Sequence, residues 1–259
     1  MQLFPLSKTI VIALLAMLFL LVSTNLLSQS IVTDRPDQTE SSSTIAKGSL
    51  QIESGLLWGF SDNGFSSASL RHLAAPSTLF RVGIINCIEL RVFNQFESIK
   101  LSNRDFEASG FSDLELGTKI QLLKKDNINM EIALLSHAIL PTGSQYLSLE
   151  EVGTINKLCI SHALTESIGL GYNVGYNYFG FGDGDLTYSL ALGFGINDKA
   201  SVYIEPYGDF TEFEDHVSNF DAGFTYLLKE NFQVDFSFGT GINHTMNYLS
   251  AGFSWQLMK

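Results

Sequence analysis

From Ile168 to Tyr178 the chain alternates without a break. Ile168, Leu170, Tyr172, Val174, Tyr176 and Tyr178 fill the even positions, and only Gly169, Gly171, Asn173, Gly175 and Asn177 fill the odd ones. Successive side chains of a strand point to opposite faces, so this segment has one large apolar face and one small, wettable face. In a soluble sandwich the apolar face would meet another sheet. Here the pattern recurs in strand after strand of a chain that begins with an export signal, which points to a closed outer-membrane barrel, apolar outside and polar inside.

The export signal is residues 1–28. Lys8 is followed by an apolar run from Ile10 to Val22. That run is short of the roughly 20 helical residues that cross a bilayer, so a removable signal peptide is expected in preference to a retained anchor. Cleavage is placed after Ser28. Of the 15 Lys and Arg only Lys8 lies before that point, so the exported part sets 14 against 27 Asp and Glu. Such an acidic chain is a poor partner for nucleic acid. Its two cysteines, Cys87 and Cys159, form neither a disulfide framework nor a metal site by spacing and are read as unpaired. With no linker or charge block dividing the chain, residues 29–47 are a periplasmic leader and 48–259 a single barrel domain.

Period-two alternation repeats twelve times, an even number as single-chain bacterial barrels require. Leu50 to Phe60 sets Gln51, Glu53, Gly55 and Gly59 on its second face, and a weaker strand around Phe80 to Ile84 carries Arg81. Ile88 to Glu97 offers Glu89, Arg91, Gln95 and Glu97 against Ile88, Leu90, Val92 and Phe96. Leu114 to Leu122 alternates with Asp113, Glu115, Gly117, Lys119 and Gln121. Strands follow over 128–140, 155–163, 168–178 and 188–196, then near Val202, Phe220, Phe232 and Leu249. A buried soluble strand would rarely place charged and amide groups in a row unless water reached them. The fold class is therefore an all-β, twelve-stranded antiparallel transmembrane barrel.

Connections between these strands alternate in length. Tight ones, rich in Asn and Asp, fall at 85–87, 124–127, 164–166, 197–199 and 229–231, and longer ones at 61–76, 100–110, 141–153, 180–185, 209–216 and 240–247. Outer-membrane barrels pair short periplasmic turns with longer external loops, which puts both termini in the periplasm. Trp58, Tyr178, Tyr226, Tyr248 and Trp255 near strand ends suit the membrane interface. Phe253 to Leu257 has the alternation of a barrel-assembly signal, although the chain ends in Met258-Lys259 instead of an aromatic. The expected partners are outer-membrane lipid, the barrel-assembly machinery acting on that last strand, and a small solute.

Several motifs carry a resemblance. They are Thr33-Asp34-Arg35-Pro36-Asp37-Gln38-Thr39-Glu40-Ser41, Lys47 to Gly55, Asp113 to Lys119, Leu140-Pro141-Thr142-Gly143, Gly171 to Tyr176 and Asp221 to Tyr226. With them the mature chain resembles a family of Gram-negative outer-membrane proteins associated with the meta-pathway of phenol degradation and labelled "transporter". The resemblance implies a β-barrel that passes small, in part aromatic, compounds.

Function turns on the lumen. Thr33 to Ser41 cannot form a strand face, and Pro36 blocks a ladder donor. It is either a flexible leader or a plug in which Arg35 pairs with acidic groups inside the barrel. Candidates for the charged lumen are Glu53, Glu89, Glu97, Asp113, Glu115, Glu205, Asp221 and Asp235 beside Arg81, Arg91 and Lys119. Barrels of about eight strands fill with side chains and those of about sixteen leave a channel, so twelve should be narrow or occluded. A narrow acidic path would favour small neutral or cationic solutes, whereas charged rows could equally serve only to knit strands together. Two other classes compete with a channel. A lipid hydrolase would need a Ser and His pair, yet Ser136-His137 and Ser161-His162 are neighbours in a strand and point apart. None of the five histidines has metal spacing, so neither metal nor cofactor is expected, and no enzyme. A surface scaffold is disfavoured by short loops of mixed composition.

Overall fold

The computed structural model describes residues 31–62, 69–102, 106–125 and 129–257. The expected signal peptide and the last two residues lie outside them. The described residues form thirteen strands: β1 (Leu50–Asp62), β2 (Ser69–Ile85), β3 (Ile88–Leu101), β4 (Phe106–Phe111), β5 (Leu114–Lys125), β6 (Met130–Leu140), β7 (Gly153–Ala163), β8 (Ile168–Tyr178), β9 (Asp185–Gly195), β10 (Ala200–Thr211), β11 (Asp215–Lys229), β12 (Phe232–Gly241) and β13 (Met246–Leu257).

Each strand pairs antiparallel with its neighbours, and β1 closes on β13 from Leu50↔Leu257 to Ser61↔Met246. β4 is an outgrowth of the wall. It pairs only with the far half of β3, while the near half of β3 pairs with β5 from Ile88↔Ile120 to Phe93↔Glu115. The closed ring therefore has twelve strands, the number read from the alternation.

The distribution of side chains is inverted relative to a soluble protein. Trp58 and Val174 are 47% and 54% exposed on the outer face, whereas Arg81, Lys119, Glu89 and Glu205 are fully buried inside. Only a surrounding of lipid makes that arrangement favourable, because closure satisfies the backbone and lipid takes the apolar face.

Three strand boundaries depart from the alternation. β2 begins at Ser69 instead of near Phe80, because Pro76 lies at a bulge between Ala74 and Ser77 where the ladder needs no donor. β4 occupies part of the connection expected at 100–110. β10 and β11 pair as far as Thr211↔Asp215, leaving only 212–214 between them, with Glu212 and Phe213 at positive φ. Pairing continues above the lipid, where both faces meet water and the apolar alternation has no reason to persist.

Candidate functional site

Residues 31–49 do not hang below the barrel. They rise into the lumen, turn near its middle and return to β1, with Gly48 N donating to Gly83 O at 2.8 Å and Gly83 N to Ser49 O at 3.0 Å. The lumen wall is shaped to receive this inner segment. Gly55 and Gly252 stand opposite each other on β1 and β13, and a Cβ at either would strike the Arg35 guanidinium. At Gly171 of β8 a Cβ would come within 3.2 Å of Thr39.

Charge holds the segment down. Both carboxylate oxygens of Asp34 accept from Lys119 Nζ at 2.9 Å, and Asp34 Oδ2 also accepts from Arg91 Nη1 at 2.6 Å and lies 3.2 Å from Arg81 Nη1. Arg81 is bidentate to Glu89 (2.9 and 3.0 Å) and donates to Glu53 at 2.9 Å and to the Val32 carbonyl at 3.0 Å. Arg91 reaches Glu40 at 2.9 Å and donates from Nε to His137 Nε2 at 3.0 Å. That leaves His137 Nδ1 to donate to Glu115 at 2.8 Å. Asp34 precedes the spanning strands. Burial works against its charge, but Arg81, Lys119 and Arg91 outweigh it and hold the carboxyl well below the usual range.

On the far wall Arg35 donates to Asp235 Oδ1 at 2.9 Å and to Ser250 Oγ at 3.1 Å. Gln38 N donates to Glu205 Oε2 at 2.7 Å, and Thr39 Oγ1 to Ser189 Oγ at 2.7 Å. Glu40 N donates to the Asn173 side-chain oxygen at 2.7 Å, Ser43 Oγ bonds Glu131, and Ile45 N donates to Glu89 at 2.9 Å. β1 to β3, β5 to β10, β12 and β13 thus each share a side-chain hydrogen bond with the segment, and Gln38 reaches Asp221 of β11.

Above the segment, towards the end of the barrel that carries β4, lies a cavity of about 450 Å³. Its floor is Asp34 to Gln38, and its walls include Leu57, His72, Leu79, Phe93, Gln95, Glu115, Leu135, His137, Ile155, Lys157 and Tyr248. Below it, on β8 and β9, Gly169 has nothing within 4 Å of where a Cβ would stand, and its cross-strand partner Gly193 only one carbonyl at 3.9 Å.

Residues 33–257 match the model of the family described as "Putative MetA-pathway of phenol degradation". The chain belongs to that family. Among solved structures this phenol-degradation family member is similar to the COG4313 outer membrane channel from Pseudomonas putida F1. The TM-score is 0.72 at 12% identity, covering 86% of this chain and 100% of that one. The KdgM porin (TM-score 0.53, 10% identity, 80% and 98% covered) and the NanC porin (0.52, 10%, 79% and 100%) are also similar. These likenesses show the outer-membrane barrel fold. No curated protein matches the sequence.

Of the charged residues named from the sequence, Arg35, Glu53, Arg81, Glu89, Arg91, Lys119, Glu205 and Asp235 meet at the inner segment. Asp221 stands across from Glu205 on β11, accepting from the Tyr248 hydroxyl. Glu115 lies at the cavity wall, and Glu97 pairs with His72 at 2.9 Å in the same half of the barrel. Asp113 has a different set of partners. It precedes β5 and accepts from the backbone N–H groups of Thr142, Gly143 and Leu149, so its charge anchors the loop that follows β6. Sequence reasoning missed Asp34, Glu40, His137 and Lys157. Asp34 and Glu40 flank Arg35 in the same polar motif, a signal that acids of the segment could pair with bases of the wall.

Ser136 faces outward to Asn156 while His137 faces the lumen, so that pair does not converge. Cys87 and Cys159 are both free, and no three potential metal ligands converge among the described residues.

Proposed function

We propose that this protein is an outer-membrane channel for small solutes, without enzymatic activity, and that residues 31–48 form its constriction. The observation that carries the reading is the segment's ring of bonds to the lumen wall beneath a cavity open to the loop end. A free leader would not be expected to bury Asp34 among three cations. The end with β4 faces outside the cell and both termini face the periplasm, as the tight turns on the terminal side suggest. A solute descends through the cavity and passes the segment along the glycine wall of β8 and β9, where Gly169 and Gly193 leave room. Family membership and the similar channel and porin folds support this reading, and the family's description extends it to aromatic solutes.

The test is planar-bilayer conductance and liposome swelling for the exported chain and for a deletion of residues 31–41. The intact protein should give small conductance steps and the deletion clearly larger ones. Equal conductance would overturn the constriction, and no conductance or swelling in either form would overturn the channel.

A further inference from the structure

The cavity above the segment has two unusual features. The first is an apolar wall. Leu57, Leu79, Phe93, Leu135 and Ile155 all point inward on β1, β2, β3, β6 and β7, in a lumen whose other inward positions are mostly polar. Two of them are adjacent across strands, Leu79 opposite Phe93. Apolar side chains facing water gain nothing there, and they gain about 25 cal/mol per Å² when an apolar surface covers them.

The second feature is Lys157. The other cations of the lumen are matched: Arg35 to Asp235, Arg81 to Glu53 and Glu89, Arg91 to Asp34 and Glu40, and Lys119 to Asp34. Lys157 lines the cavity, partly buried, between Leu135 on β6 and Gly175 on β8. Among the described residues it has neither an ion pair nor a side-chain hydrogen bond. An ammonium drawn partly out of water and left unmatched is unfavourable, and an incoming anion removes that cost. The carboxylates of the cavity are mostly committed already, Glu40 and Glu53 to arginines and Glu115 to His137. Asp37, on the segment, is the exception. Burial and then the neighbouring Glu205 carboxylate push its pKa well up, which lessens the negative charge it adds.

We infer that the cavity binds a small monocarboxylate with an apolar body, an aryl or short alkyl acid, whose carboxylate pairs with Lys157 while its body covers the Phe93 and Leu135 wall. Size permits it, since a cavity of about 150 Å³ suffices for a benzene ring. The inference rests on the channel reading only for passage, because binding can be measured without transport. A long-range acidic field slows the approach of an anion, but paired charges contribute little to that field at physiological ionic strength.

The experiment is calorimetric titration of the full exported chain in detergent with benzoate, and with phenol, benzylamine and acetate as comparisons. Benzoate should bind saturably and more tightly than the other three. Lys157→Gln should weaken benzoate about tenfold, the worth of one charge-assisted bond, and leave phenol unchanged, while Lys157→Arg retains benzoate. Unchanged heat-modifiable gel mobility verifies that the variants fold. Benzoate binding no tighter than phenol, or unaffected by Lys157→Gln, overturns the inference. A protein that conducts but does not bind benzoate overturns it and leaves the channel standing. One that binds benzoate but neither conducts nor swells liposomes overturns the channel alone.

Discussion

Asp34 and Lys119 are 85 positions apart, yet both oxygens of the Asp34 carboxylate accept a hydrogen bond from the Lys119 ammonium at 2.9 Å. This contact joins the inner segment to β5 across the lumen. Replacing Asp34 with Asn would leave Lys119, which is fully buried, without its closest anion. Removing one partner of a buried pair costs about 3–5 kcal/mol. That cost should fall on segment docking, because the β ladders do not involve it. The expected outcome is larger and noisier conductance in planar bilayers, with normal barrel mobility on gels. Conductance indistinguishable from the parent would contradict it.

The response to acid follows from the same carboxylate. The folded-state pKa of Asp34 is depressed, so its contribution is complete above the unfolded value of 3.8 and is lost only as pH falls through the lower folded value. The Asp34 contribution to docking should therefore hold from neutrality to about pH 4 and be lost below it, while protonation of Asp37, whose pKa is raised by burial, can only favour docking as pH falls. A thiol at Ser42→Cys, a position 2% exposed, reports docking in a Cys87→Ser background. It is probed with a pyridyl disulfide, which its own protonation keeps reactive in acid, and normalised to a free thiol at each pH. Labelling should be slow at neutrality and accelerate only below about pH 4. Acceleration between pH 7 and 5 would mean that a different group controls docking.

Two glycines of β8, two positions apart, should respond in opposite ways. A leucine at Gly171 must push Thr39 away from Ser189 and Glu205, loosening the segment and raising conductance. A leucine at Gly169 enters open space and should lower conductance by narrowing the way past the segment. Single-channel recording of both variants decides the matter by the sign of the change.

On the opposite face of β8, Val174 is 54% exposed. Val174→Arg should destabilise the barrel in lipid vesicles by about 2–4 kcal/mol if the residue lies near the bilayer midplane. Urea titration monitored by tryptophan fluorescence measures the loss. A change within a few tenths of a kcal/mol would place Val174 outside the hydrocarbon layer.

Much of the wall was legible in the chain, and for one reason. Lipid accepts only one kind of side chain, so Leu170, Val174, Leu190 and Phe236 declare their face by alternation alone. The same rule fails where lipid stops. The outer part of β2 and the whole of β4 lie where no solvent imposes a pattern, and Pro76 in a bulge looks like a strand breaker. Asp113 alternates correctly with Leu114, yet ends up holding the backbone of residues 142–149.

By itself, the sequence determined the class of fold, the number of spanning strands and which face of each meets lipid. These follow from local chemistry repeated at a period of two residues. Only the tertiary structure decided which charges meet, since a buried carboxylate is satisfied by any nearby cation and pattern cannot choose among them. Asp34 finds Arg81, Arg91 and Lys119, and Arg35 finds Asp235, because barrel closure brings strands distant in sequence around a single segment. The same closure leaves Lys157, beside Leu135, with no ion pair among the described residues. That depends on which side chains the neighbouring strands and the inner segment bring near the ammonium, and no single strand contains the information for it.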